Sequence, residues 1–485
     1  MTAIDTYTYD AGRKPPPFGH ALRPFWAFDP GFVNMNHGSY GSLPLPVLLK
    51  CQELTLLAER NPTSSTASPI WACSKKSDFA RRKRVADVVN AELDEIVLVP
   101  NATHGINTVL RNFEWKEGDV IIEATTTYNA VSRTIRSLSD RSAPPRPTPV
   151  KTVLTFPMTR AQILDDFRVK IKEVKGADPN VDYSDTPPDA TGAQNRKGNK
   201  IVAVIDSIIS NPGMALPWKE LAQICKEEGV WSVIDGAHSI GQELDINLSA
   251  AKPDFFISNC HKWFYAKRGC ALLYVPKRNQ YIIKSSIPTS HAYLSPNDSK
   301  PPPADETNFV LQHECRREKG LQVGTSGTGT ADQIPYLSIG GAIDFRQWLG
   351  GEAVINAYCH QLALDGGKRL AEYLGTKVLD ETGEFTLNMT NVQLPLPTES
   401  ANSEFYTPQA RENILRDVTK KLLLDWNVSA GFFVHAGAWW TRCSAQVWND
   451  ISDFEYVGKA FKAICGEITE IVEKGGEFPQ GIDTR

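Results

Sequence analysis

The sequence predicts an α/β protein, with a large, doubly wound, mainly parallel sheet domain and a smaller α+β domain after it. Three observations lead there. Between residues 95 and 275 short apolar runs alternate with amphipathic stretches, the pattern of buried strands covered by helices on both faces. From about Ala331 the pattern changes to long helical segments interrupted by two strand-like stretches. The chain has 485 residues, 41% of them apolar and 22% charged, enough for more than one packed core.

In chain order, "PLPVLLKCQELTLLAER" from Pro44 and "KKSDFARRKRVADVVNAE" from Lys75 have helical apolar spacing, separated by the loop "NPTSSTASPI". Strands are expected at "EIVLVP" (95–100), "DVIIEA" (119–124) and "VKTVLTF" (150–156), with helices from about Thr103, Tyr128 and Thr159. The series resumes with "KIVAVID" (200–206), a helix near 217–228, "VWSVID" (230–235), "DFFISN" (254–259) and "GCALLYV" (269–275). Two stretches rich in Pro, Asp, Ser and Asn, 176–199 and 285–308, are expected as exposed loops. The C-terminal part carries "WNVSAGFFVHAG", "WWTRCSAQVW" and a closing helix from about Asp453. The expected division is an N-terminal arm at 1–40, a large domain at 41–335 and a small domain at 336–485.

Composition narrows the function. A net charge of −4 without a basic block argues against nucleic acid as a partner. No apolar run approaches the roughly 18 residues of a membrane span, and the start "MTAIDTYTYDAGRKPPPFGH" has no apolar leader; the expected location is the cytosol. Nine cysteines, none in a C-x-x-C pair, suggest neither a zinc knuckle nor a redox dithiol but free, mostly buried thiols, and no metal is expected. "GTSGTG" (324–329) has the wrong spacing for a dinucleotide fingerprint, and there is no Walker A sequence.

Open α/β sheets bind ligands beyond the carboxyl ends of their strands, so the residues that follow each apolar run matter most. After "LVP" come Asn101, Ala102, Thr103, His104 and Gly105, a helix start whose amides and hydroxyl suit a phosphate, although N-capping alone also explains Asn101 or Thr103. After "VIIEA" comes Tyr128, placed to lie over a flat ring or simply to pack. After "WSVI" comes Asp235, before a glycine turn, and 27 residues later "SNCHKWF" sets Lys262 at the end of the next strand. Alone, that lysine would read as a solvated strand terminator. The set as a whole matches one chemistry. Pyridoxal phosphate needs a lysine for its aldehyde, a carboxylate for its ring nitrogen, an aromatic face and a phosphate cup. A Cys260–His261 nucleophile is disfavoured, because adjacent residues of a strand point to opposite faces.

The ordered motifs "NMNHGSYGSLP", "PNATHGIN", "DGAHSIGQ", "SNCHKW" and "RCSAQVWN" resemble the class V aminotransferases, which are fold-type I pyridoxal phosphate enzymes. The resemblance is to the isopenicillin-N-epimerase-like branch, with its hercynylcysteine sulfoxide lyases and fungal loline-pathway enzymes, and runs from about Phe18 to Val472. It implies Lys262 as the Schiff-base residue, Asp235 as partner of the pyridinium nitrogen, His238 near the phenolic oxygen and Tyr128 stacked on the ring. It implies phosphate contacts from Ala102, Thr103 and His261, Ser210 beside the ring, and Thr330 reaching the phosphate of a neighbouring subunit, hence a homodimer. Arg442 would fork the carboxylate of a small amino-acid-derived substrate, with His37 and Gly38 bordering it; a structural turn explains "NHGSYG" equally well. One departure is "TSSTASPIW" after "NP" at 61–62, where relatives tend to have an aromatic and a basic residue.

The resemblance leaves the reaction open. The leading expectation is a carbon–sulfur β-lyase of the hercynylcysteine sulfoxide lyase type, by analogy; the alternative is a secondary-metabolic cyclase or epimerase. A desulfurase is disfavoured by the lack of an obvious catalytic-loop cysteine, with Cys315 the one to watch. A degenerate cofactor-binding scaffold is opposed by the intact Lys262, Asp235 and Arg442.

Overall fold

The computed structural model describes residues 10, 12–60, 82–143, 145–189, 197–288 and 331–474. Its main sheet has seven strands: β2 (Ile96–Val99), β3 (Val120–Ala124), β4 (Thr148–Thr152), β5 (Ile201–Asp206), β6 (Trp231–Asp235), β7 (Phe255–Asn259) and β8 (Ala271–Tyr274), in the spatial order β2-β8-β7-β6-β5-β3-β4. β8 runs antiparallel to both its neighbours, and the remaining pairings are parallel. Strands β5 to β8 are buried along their whole length, as continuous apolar runs between two helical layers require.

The helices lie where apolar periodicity put them. Ala102–Asn112 is capped by Asn101, whose side chain accepts the His104 amide. Asn129–Ser139 starts directly after Tyr128, and Arg160–Ala177 opens with a capping box between Thr159 and Gln162. That last helix runs two residues into the stretch expected as loop from 176. The expected strand 150–156 is displaced: β4 ends at Thr152, and Leu154 and Phe156 turn inward into the core. β4 is an edge strand held by β3 alone, so its apolar continuation gains more by burial than by pairing.

The C-terminal region builds a second sheet from β9 (Met389–Gln393), β11 (Gly431–His435) and β12 (Ala438–Ser444), in the order β11-β12-β9 and antiparallel throughout. Helices Gly351–Leu374 and Ile451–Glu473 pack against it around a separate apolar core. Near the N-terminus, β1 (Val33–Asn34) pairs in parallel with β10 (Val428–Ser429), which ties the arm to the last quarter of the chain. The seven cysteines among the described residues are free and buried, and no helix among those residues is long and apolar enough to cross a membrane.

Candidate active site

Parallel pairing of β5, β6 and β7 brings their carboxyl ends to one edge, with Asp206 opposite Asp235 and Asp235 opposite Ile257. Lys262 follows β7 by three residues, in a tight turn clamped from several sides. Gly41, at φ +70°, passes so close that a Cβ there would stand 1.8 Å from the His261 carbonyl oxygen, and Gly241, at φ +85°, would place one 2.6 Å from the Trp263 carbonyl carbon. Both positions need glycine for the backbone angle as well as for space. Arg346 braces the same turn, its guanidinium donating to the carbonyl oxygens of Trp263 at 2.6 Å and Gly241 at 2.9 Å.

Two histidines bracket the lysine. His37 Nε2 donates to the Lys262 carbonyl oxygen at 2.8 Å while its Nδ1 accepts the Ser42 amide at 3.1 Å. Both nitrogens are therefore used, and burial lowers the ring to about 3, so it stays neutral. Expected to border the substrate, His37 has its ring turned to the Lys262 carbonyl and braces the turn that carries the lysine. Gly38 is packed too: its amide donates to Ser444 Oγ, and a Cβ there would press on Met389 and Trp263. On the other side His238 Nε2 lies 3.1 Å from Lys262 Nζ. Burial, then the Lys262 and Arg442 charges, push His238 well below the usual histidine range. Burial, with Arg442 beside it, lowers the Lys262 ammonium to about 7 against the opposing pull of Asp235, which makes a free amine accessible near neutrality.

The Asp235 carboxyl is buried and accepts the Ala237 amide at 3.0 Å. Asp206 stands beside it with one oxygen buried and unpartnered. Burial and then Asp235 push the Asp206 carboxyl well above the usual carboxylate range; burial raises Asp235 as well, opposed by the Ala237 amide and the Lys262 charge. At the phosphate end, Ala102 donates its amide to Asn259 Oδ1 at 2.8 Å and His104 to Asn101 Oδ1 at 2.8 Å, which leaves the Thr103 amide free among the described residues. His261 Nδ1 donates to the Cys270 carbonyl at 2.9 Å, and burial lowers the ring to about 4, so its Nε2 carries a proton for an anion only when an anion draws one there. Tyr128 caps the next helix and is 48% exposed, the most open of the group.

Arg442 reaches the site from β12. Its Nη1 donates to the Ser210 carbonyl oxygen at 2.6 Å and to Ser210 Oγ at 3.3 Å; its Nη2 donates to Asn36 Oδ1 at 2.7 Å and Ser39 Oγ at 2.8 Å. All these acceptors are neutral. Nε is buried without a partner, and among the described residues no carboxylate pairs with this 2% exposed guanidinium. Burial lowers it to about 10. Ser210, expected beside a ring, grips Arg442 instead. Thr330, Cys315, the 61–71 segment and residues 289–308 lie outside the described residues.

The profile of the family described as aminotransferase class-V matches residues 40–145 and 182–291. An "L-cysteine desulfhydrase-like protein" of Epichloe uncinata is 32% identical over 470 residues, covering 93% of this chain and 97% of its own length. The chain belongs to the class V aminotransferase family. Hercynylcysteine sulfoxide lyase of Schizosaccharomyces pombe is 27% identical over 453 residues, 92% of this chain and 98% of that one. A solved structure of the cystine C–S lyase C-DES, in complex with its reaction product cysteine persulfide, shares the fold with a TM-score of 0.64 at 15% identity, covering 89% of this chain and 98% of that one.

As a class V member the protein is an enzyme of the fold-type I group, and its cofactor is pyridoxal phosphate. The residues present fit that cofactor. An amine close to neutrality, a buried carboxyl anchored by an amide and a free helix-start amide stand at one sheet edge. Several contributors escaped sequence reasoning: Asn36 and Ser39, which hold Arg442; Trp263, which touches His238; and Asp206. For Asp206 a signal existed, because β5 and β6 both end in "VID".

Proposed function

We propose that this enzyme is a carbon–sulfur β-lyase, of the hercynylcysteine sulfoxide lyase type, acting on a cysteine-derived amino acid. The observation that carries the substrate class is Arg442. A buried guanidinium whose partners among the described residues are all neutral is electrostatically incomplete, and an α-carboxylate completes it with charge-assisted hydrogen bonds. The sulfur chemistry is supported by the names of the relatives, which include a desulfhydrase-like protein and a sulfoxide lyase.

Pyridoxal phosphate, once bound, supplies an electron sink that allows the Cα–H bond of an amino acid to break. In this reading Lys262 would hold the cofactor, and its Nζ would take the Cα proton of the substrate, a role suited to an amine near pH 7. Asp235 would keep a proton on the ring nitrogen, Tyr128 would cover the ring from the open side, His238 would face the phenolic oxygen, and the helix start at Ala102–Thr103, through the Thr103 amide, would with His261 receive the phosphate. Arg442 orients the substrate from β12. The assembly in this reading is a cytosolic homodimer, each chain divided near residues 40 and 335; the buried thiols among the described residues suit a reducing compartment.

The test is to incubate the protein with cysteine thioethers and sulfoxides in deuterated water and measure pyruvate, the released sulfur fragment and deuterium at Cα. Pyruvate in step with the sulfur fragment supports the lyase. Deuterium uptake with carbon–sulfur bonds intact would overturn it in favour of the epimerase or cyclase reading, which a 31% identity over 200 residues to isopenicillin N epimerase of Streptomyces clavuligerus supports.

A further inference from the structure

We propose that Trp263 is a positioning residue: it fixes which nitrogen of His238 carries the proton and thereby keeps the Lys262 amine in the uncharged form that reacts with an aldehyde. The inference rests on the reading of Lys262 as the aldehyde-binding residue. Trp263 Nε1 lies 3.1 Å from His238 Nδ1. An indole N–H only donates, so Nδ1 must present its lone pair, and a neutral imidazole then carries its proton on Nε2. That Nε2 is 3.1 Å from Lys262 Nζ. An Nε2–H can face the lone pair of an amine but not an ammonium, which has only donors. Three side chains thus donate in one direction, from indole to imidazole to amine.

The remaining groups around Nζ do not set this direction. Asp235 pulls toward the ammonium and Arg442 against it; His37 and His261 are neutral, with ring nitrogens turned to the Lys262 and Cys270 carbonyls. Trp263 itself cannot swing away. It is fully buried, packs with Ile208 and Met389, and sits edge-on to His37 with ring centroids 5.4 Å apart. Phenylalanine would keep that packing and remove only the donor. His238 would then be free to move its proton to Nδ1 and offer Nε2 as an acceptor to an ammonium.

Two measurements test this on the full chain. In protein labelled with 15N-histidine, with the His238 signal assigned by its loss in His238→Asn, the ring nitrogens should show hydrogen on Nε2 and none on Nδ1; hydrogen on Nδ1 in the unmodified protein overturns the proposal whether or not any variant folds. Second, the pH dependence of pyridoxal phosphate capture by cofactor-free protein, trapped with borohydride and mapped by peptide mass, should move upward by about one pH unit in Trp263→Phe, the effect of one hydrogen bond. In a His238→Asn background Trp263→Phe should move it no further. An unmoved midpoint in the single variant, or an equal shift in both backgrounds, overturns the relay. If the label is recovered on another lysine while His238 keeps its Nε2 proton, the functional reading fails and the tautomer assignment stands, so the two failures are distinguishable.

Discussion

Replacing Arg442 by lysine keeps a positive charge and removes the fork. In the structure the two terminal nitrogens serve different walls: Nη1 binds Ser210, after β5, and Nη2 binds Asn36 and Ser39 in the arm. A single ammonium on a straight stem cannot serve both and still offer two parallel donors to a carboxylate. One charge-assisted hydrogen bond to the ligand is worth about 1.5–3 kcal/mol, so kcat/KM for a carboxylate substrate should fall by a factor of roughly 10 to 150 in Arg442→Lys, at about 1.4 kcal/mol per tenfold. The visible band of the bound cofactor should change little, because the positive charge that acts on Lys262 is kept. The assay is steady-state kinetics on a substrate and on its α-carboxamide. A selective loss for the carboxylate supports the assignment. Normal turnover, or an equal loss for both compounds, would refute a carboxylate contact and with it the amino-acid substrate class.

Asp235→Ala should retain part of the cofactor yet lose most exchange of the Cα hydrogen with solvent, measured by deuterium uptake; near-normal exchange would remove Asp235 from the chemistry. Tyr128→Phe should keep cofactor affinity and slow the chemical step by roughly 10²–10⁴, as when an acid–base group is lost, and an unchanged rate would reduce Tyr128 to packing. Gly41→Ala places a Cβ 1.8 Å from the His261 carbonyl oxygen at a positive φ, so thermal denaturation should show a loss of several kcal/mol, on the order of 3 or more; a wild-type melting curve would show that the turn yields. Capture of free pyridoxal phosphate should rise with pH and level off above about 7, because burial makes Lys262 lose its proton there rather than in the usual lysine range.

Much of this site was legible because its elements are local. Strands β5 to β7 are continuous apolar runs paired in parallel, and the residues that follow such runs must share an edge, which exposed Asp235 and Lys262 together. What failed was of two kinds. β9, Met389–Gln393, reads "MTNVQ", with too little apolar alternation to stand out, and is a strand because β12 lies beside it. His37 carried the right residue type in the right motif, but its role depends on ring direction, which only the Lys262 carbonyl on one side and the Ser42 amide on the other decide. Trp263 stood next to the lysine and drew no role for the same reason: a donor's meaning lies in where it points.

The arm that carries Asn36, His37 and Ser39 meets Arg442 at a sequence separation of 406, and it is pinned by β1 to β10. During synthesis the N-terminal side of the pocket therefore waits for β10 and β12, and these strands leave the ribosome almost last. The seven-stranded sheet has all its strands by Tyr274 and can collapse early, while loop closure on the scale of the whole chain comes late. Folding intermediates of this enzyme should thus have a formed sheet with an unclosed pocket. Cofactor loading becomes a post-translational event, and C-terminal truncations that remove β10 and β12 should yield folded sheet that does not retain pyridoxal phosphate.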